Sequence, residues 1–137
     1  MADDSMRRID DAVGYVRANP ARFFPEGKFT AVELATYLVR EALRYGASSV
    51  EVTRHEEWTI VHSPDDWLAA DGSAAFRQIV PAPAIGQNAM RVEILATAFA
   101  REVLTKINGR VEHITGIETP PALDRYASLG RAVAFED

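Results

Sequence analysis

The chain has 137 residues, 47% of them hydrophobic and 26% charged, with a net charge of −5 and no cysteine. That length is one domain (1–137), able to bury roughly two-thirds of its unfolded surface. Scattered basic residues on a negative background argue against nucleic acid, and the missing thiols exclude disulfides, zinc ribbons and thiol catalysis. With no apolar run near 18 residues and no basic start leading into an apolar core, the expectation is a cytoplasmic chain without a membrane span or signal peptide.

Residues 1–29 read as an N-terminal helix and connector. Met1 to Ser5 is a frayed polar start, and Ile9, Ala12, Val13 and Val16 recur at helical spacing between Met6 and Ala18. Asn19-Pro20 closes that helix, and a turn-rich stretch with Phe23-Phe24 follows. Residues 30–137 form the core. Thr30 and Glu33 make a capping box, and Leu34, Leu38, Ala42 and Tyr45 form an apolar stripe that Gly46 terminates. Tyr37, Glu41 and Arg44 sit on the other face, where the simplest reading is a solvated surface with a Glu41–Arg44 pair.

Ser49 to Arg54 alternates as a strand, His55-Glu56-Glu57 is a tight turn, and Trp58 to His62 is the second strand of an antiparallel hairpin. The irregular stretch from about 63 to 87 has the length of a lid or binding loop, with Phe76, Ile79 and Val80 as its anchors. Asn88 is a candidate cap for a second long helix over 88–107, whose stripe is Val92, Leu95, Phe99, Val103 and Ile107. Asn108-Gly109 permits either a hairpin turn or a helix C-cap, and the 3.6 period before it favours the cap. Strands follow at Arg110–Thr115 and Arg131–Phe135, with one helical turn between Ala122 and Leu129. This order predicts an α+β two-layer sandwich, helices on one face of a mixed β-sheet.

The string Glu41-Ala42-Leu43-Arg44-Tyr45-Gly46 resembles the N-box helix of the histidine-kinase and gyrase-like (GHKL) ATP-binding family, with Glu41 where the family keeps an asparagine. Further segments fit that family in order. Val16 to Phe24 is loosely similar to the entry of gyrase-type domains. Ala75-Phe76-Arg77 falls where the kinases place a lid aromatic. Leu95 to Val111 resembles the long helix and strand after it, and Ala127 to Phe135 resembles the closing G-x-G-T-x-F strand. The resemblance implies a Bergerat-type fold over residues 30 to 135, helices 31–45 and 88–107 side by side, and a pocket bounded by the lid.

It also implies chemistry that the residues do not support. The N-box asparagine holds Mg²⁺; Glu41 is still an oxygen ligand but adds charge facing phosphates. Tyr37 stands one turn earlier, where relatives use Asn or a catalytic Glu, and a tyrosine is a poor base for water. Arg44 adequately replaces the phosphate-approaching lysine. The adenine-binding Asp of Asp-x-Gly-x-Gly falls on His62, or on Asp65 or Asp66 after a shift, with no glycine recovered. The glycine slots of the phosphate loop hold Ile94 and Ala96, leaving only Gly86 upstream.

No hydrolase motif accompanies these residues, and His55, His62 and His113 lack ligand spacing. Asp65-Asp66 and Glu56-Glu57 read as solvated turn acids, and Trp58 and Trp67 as packing. The expectation is therefore a non-catalytic GHKL-like domain, with no catalytic or metal residues and no cofactor. It would act on a protein partner or as a homo-oligomer, with no nucleic acid and no membrane. Tyr37, Glu41, Arg44, His62, Asp65 and Asp66 would line the remnant pocket. Two alternatives stand beside it. One is a divergent ATP-binding kinase, ATPase or anti-sigma-type regulator using Glu41 for Mg²⁺ and Asp65 or Asp66 for adenine. The other is an unrelated α+β structural module.

Overall fold

Local chemistry sets the elements. In the computed structural model, which describes residues 11–121, 123–126 and 130–137, α1 spans Ala12–Ala18 and a 3₁₀ turn covers Pro20–Arg22. Asn19 separates them, outside the helical region as the following proline requires. α2 (Ala31–Arg44) begins at Thr30, whose extended backbone lets its hydroxyl accept the Glu33 N–H at 3.2 Å. The Thr30 hydroxyl in turn donates to the Glu33 carboxylate at 2.8 Å. At the far end Gly46 sits at φ 95°, and the Gly46 and Ala47 amides return to the Leu43 and Ala42 carbonyls. This is a Schellman stop, in which glycine takes the left-handed position without steric cost.

β1 (Glu51–His55) and β2 (Trp58–Ser63) form the expected hairpin. After α3 (Ala74–Arg77) and α4 (Glu93–Phe99) come β3 (Glu102–Ile107), β4 (Arg110–Thr115), α5 (Leu123–Tyr126) and β5 (Arg131–Glu136). The strand order is β1-β2-β5-β3-β4, antiparallel at every step. The α+β two-layer class holds, but the sheet is not mixed. The last strand inserts between the two hairpins and runs opposite to both neighbours, so no parallel pair arises.

Pleat alternation separates two cores. Val61, Val103, Val133 and Phe135 face the helices, where they meet Leu34, Leu38, Phe24, Phe76 and Leu95. Trp58, Ile60, Leu104, Ala132 and Ala134 point the other way and are covered by Leu123 of α5. Among the described residues no helix is long and apolar enough to cross a membrane.

The predicted helix over 88–107 is corrected most. It ends at Phe99, where Ala100 turns extended at ψ 157°. Val103 and Ile107, read as the end of its stripe, belong to β3. The run Val103-Leu104-Thr105-Lys106-Ile107 satisfies both periods over so short a span, and pairing with β5 and β4 decides for the strand. Asn108-Gly109 is consequently the β3–β4 hairpin turn, with φ 47° and 87°, and not a helix cap. Asn88 caps nothing: it lies at φ 66° in the preceding turn.

Residues 63–87 are better anchored than a loose loop. Trp67, Leu68, Ala75 and Phe76 are buried in the helix-side core, and Pro81 bridges to Met90. Ile79 is exposed, so Phe76 and not Ile79 does the anchoring. The expectations for Met1–Asp10, Ala122 and Ala127–Leu129 fall outside the described residues.

Candidate functional site

Counting from Leu34, the inward stripe of α2 runs i, i+4, i+7, i+8 and i+11. The i+7 slot is Glu41. Its side chain is fully buried beside Leu38 and Ala42. The carboxylate does not pair with Arg44, which is exposed in the last turn of α2. One oxygen accepts the Val92 N–H at 2.8 Å, capping α4 from outside that helix, and the other lies 3.4 Å from Nη1 of Arg91. A carboxylate at a helix N-terminus meets unpaired amides and the positive end of the dipole, so the placement is favourable for α4.

Arg91 is itself fully buried. Its Nε donates to Asp71 at 2.9 Å, and its guanidinium carbon lies over the Tyr45 ring, 3.6 Å from the centroid. Burial works against the cation, but Glu41, Asp71 and Glu93 outweigh it and hold its pKa above the usual arginine value. Glu93 completes the cluster. It is buried and accepts the Trp67 indole N–H at 3.1 Å. Burial first, and then the neighbouring Glu41 carboxyl, push its pKa well above the usual carboxylate range. Burial and the Glu41 carboxyl thus both favour its protonated form. The buried guanidinium of Arg91 thus faces two carboxylates, Glu41 at 3.4 Å and the part-exposed Asp71 at 2.9 Å.

This arrangement ties α2, the 67–71 turn and α4 together, but it presents no reactive group to solvent. Arginine cannot shuttle a proton at ordinary pH, and the Glu93 carboxyl is fully buried. Oε2 of Glu41, Nη1 and Nη2 of Arg91 and Oε1 of Glu93 have no hydrogen-bond partner of good geometry among the described residues. Such groups are costly to bury, which makes the cluster a point of high sensitivity to mutation.

The six residues expected in one pocket are dispersed. Tyr37 turns toward the connector, where its hydroxyl donates to the Phe23 carbonyl at 2.7 Å and its ring stacks on Phe24. His62 shares the register of Trp58 and Ile60, so it sits on the sheet face away from the helices. Its neighbours are Thr53, at 3.4 Å, and Glu51; burial lowers its pKa and Glu51 partly restores it. Asp65 accepts the Ser48 amide and hydroxyl at 2.8 and 2.7 Å, and these bonds hold its pKa below the usual value. Asp66 grips Arg131 at 2.7 and 3.1 Å. Burial alone would raise its pKa, but Arg131, the Leu68 amide and more distant Arg91 bring it down. Only Glu41 and Asp66 thus belong to one electrostatic neighbourhood, and each is already engaged by an arginine of this chain.

Arg91, Glu93, Asp71 and the polar role of Trp67 were not foreseen. The legible signal was Arg91 and Glu93 interrupting the run Ala89-Met90-Arg91-Val92-Glu93-Ile94-Leu95-Ala96, where two opposite charges in an apolar stretch point to a buried pair. Among the described residues no group of three or more His, Asp or Glu side chains is arranged to hold a metal ion. No protein-family model, curated protein or solved structure matches the chain.

Proposed function

We propose that this chain is a non-catalytic GHKL-like domain that acts by binding a protein, with the place of the nucleotide taken by its own side chains. The observation that carries this reading is Glu41. At the position of the metal-binding N-box asparagine, its carboxylate is fully buried, with one oxygen on the Val92 amide and the other on Arg91. An N-box oxygen serving Mg²⁺ must face an open space, and this one faces a guanidinium.

Two further features support it. α2 and α4 touch each other above one sheet, though α4 (Glu93–Phe99) falls short of the helix over 88–107 that the resemblance implies. The acids that could replace the adenine-binding Asp are committed elsewhere, Asp65 to Ser48 and Asp66 to Arg131. The divergent-ATPase alternative needs Glu41 and one of these acids free at once.

Thermal-shift titration with Mg·ATP and Mg·ADP tests the reading. Occupancy at ten times Kd stabilises by about 1.4 kcal/mol, a shift of roughly 3–5 °C for a domain of this size. No shift at millimolar nucleotide is expected. A shift of several degrees would overturn the proposal.

A further inference from the structure

We infer that the outer flank of α2 and the helix-side face of β1 form a docking groove for an amphipathic helix of a partner protein, apolar along its inner face and carrying a carboxylate at its edge. This rests on the protein-binding function proposed above and gives it a surface.

The groove follows from the way the helices cover the sheet. α2 packs over β2 and α4 over β3, so Val52, the helix-side residue of edge strand β1, remains 49% exposed. Facing it, α2 turns Val32 and Leu43 outward, exposed by 76% and 51%, with Val39 between them. The space between this flank and β1 is about 850 Å³. From Val32 to Leu43 it runs roughly 16 Å along α2, or three helical turns. Single exposed apolar residues need no explanation, but three large ones lining one concave surface mark an interaction site. A helix laid there would extend the layer that α2 and α4 begin, reading the groove through residues one turn apart.

Charge selects the occupant. Arg54, at the groove wall, already bonds Thr59 at 2.7 Å and Asp137 at 3.1 Å. Arg40, on the opposite wall, rests 5.7 Å from the Tyr37 ring and meets no carboxylate among the described residues. A second copy of this chain brings the same unmatched cation, and the groove's own Asp137 is already taken. The complementary ligand is therefore apolar with an acidic group opposite Arg40. At physiological ionic strength screening falls to about 8 Å, so this local cation outweighs the net charge of −5.

Two capped, fluorescein-labelled 16-residue helical peptides test the inference by anisotropy on the full chain. They share a Leu/Ala stripe and differ only in Glu or Lys beside it. The Glu peptide is expected to bind at least tenfold tighter, Arg40→Gln to bring the ratio near one, and Val52→Asp or Leu43→Asp to abolish binding. Both Asp variants are surface changes, and an unchanged circular-dichroism melt confirms that they fold. No binding of the Glu peptide, no preference for it, or binding that survives Val52→Asp would overturn the inference. So would a dimer in light scattering that Val52→Asp dissociates, which would give the groove to a second copy. A nucleotide-induced thermal shift with peptide selectivity intact would overturn the pocket reading and leave the groove standing.

Discussion

The two flanks of α2 reverse the usual distribution of polarity. Inward, a carboxylate is sealed against an arginine; outward, a valine and a leucine stand in water. The inward flank is closed: Glu41 faces the Val92 amide and Arg91, and Arg91 also faces Asp71, although several of their buried polar atoms lack a hydrogen-bond partner among the described residues. The outward flank is unfinished, an apolar wall beside an edge strand where Arg40 meets no carboxylate among the described residues. Burial alone does not distinguish a stabilising surface from a binding one. Whether its charged groups already face an opposite charge does.

The sharpest way to break the inward flank is Glu41→Ala. It strands Arg91 in the core and uncaps α4, and a loss of about 3–5 kcal/mol in urea unfolding is expected. Replacing both members, Glu41→Leu with Arg91→Met, should cost less than Glu41→Leu alone, because the charge left without its partner is then the part-exposed Asp71 and not a buried guanidinium. If the single and the double variants are equally unstable, the ion pair is not what holds this flank.

Trp67→Phe keeps the ring's bulk and removes the indole donor to Glu93. Leaving a buried acceptor unpaired costs about 1–3 kcal/mol, and the same denaturation experiment reads it.

Glu93→Gln changes the shape of the stability–pH curve. Burial raises the folded-state pKa of Glu93 above its unfolded value of about 4.3. Its contribution is therefore fully present below that pH and declines as pH rises toward the folded pKa. The Gln variant should lack this decline. Asp66 works in the opposite sense: its folded pKa is lowered, so its contribution is present at neutral pH and lost on acidification, in wild type and variant alike. An unaltered profile in Glu93→Gln would mean that the buried acid is not protonated.

On the outward flank, Val32→Ser and Leu43→Gln should move stability by no more than about 0.5 kcal/mol, since both side chains already contact water. A larger loss would show that this face contributes to the fold and is not held in reserve for a partner.

Much of the fold was legible from residues acting over one or two turns of chain. Thr30 with Glu33 opens α2, Gly46 closes it, and the alternation of Trp58 to His62 marks β2, each through bonds that span a few positions. The same locality explains the main error. Over Val103–Ile107 helical and strand periods are both satisfied, and only pairing with β5, which arrives last, selects the strand. The antiparallel sheet has the same origin, because no local feature states where β5 inserts.

The candidate site divides along this line. That α2 would carry a carboxylate at its seventh step from Leu34 is plain in the sequence, as are the type and number of the charges near it. Whether that carboxylate meets a metal, water or an arginine depends on an amide 51 positions away and the guanidinium beside it. Read from the chain, Glu41 belongs to the polar face with Tyr37 and Arg44; the structure turns it inward instead, beside Leu38 and Ala42. Only the packing of α4 against that side, which excludes water and brings Arg91 over Tyr45, turns it from a candidate ligand into one half of a buried pair.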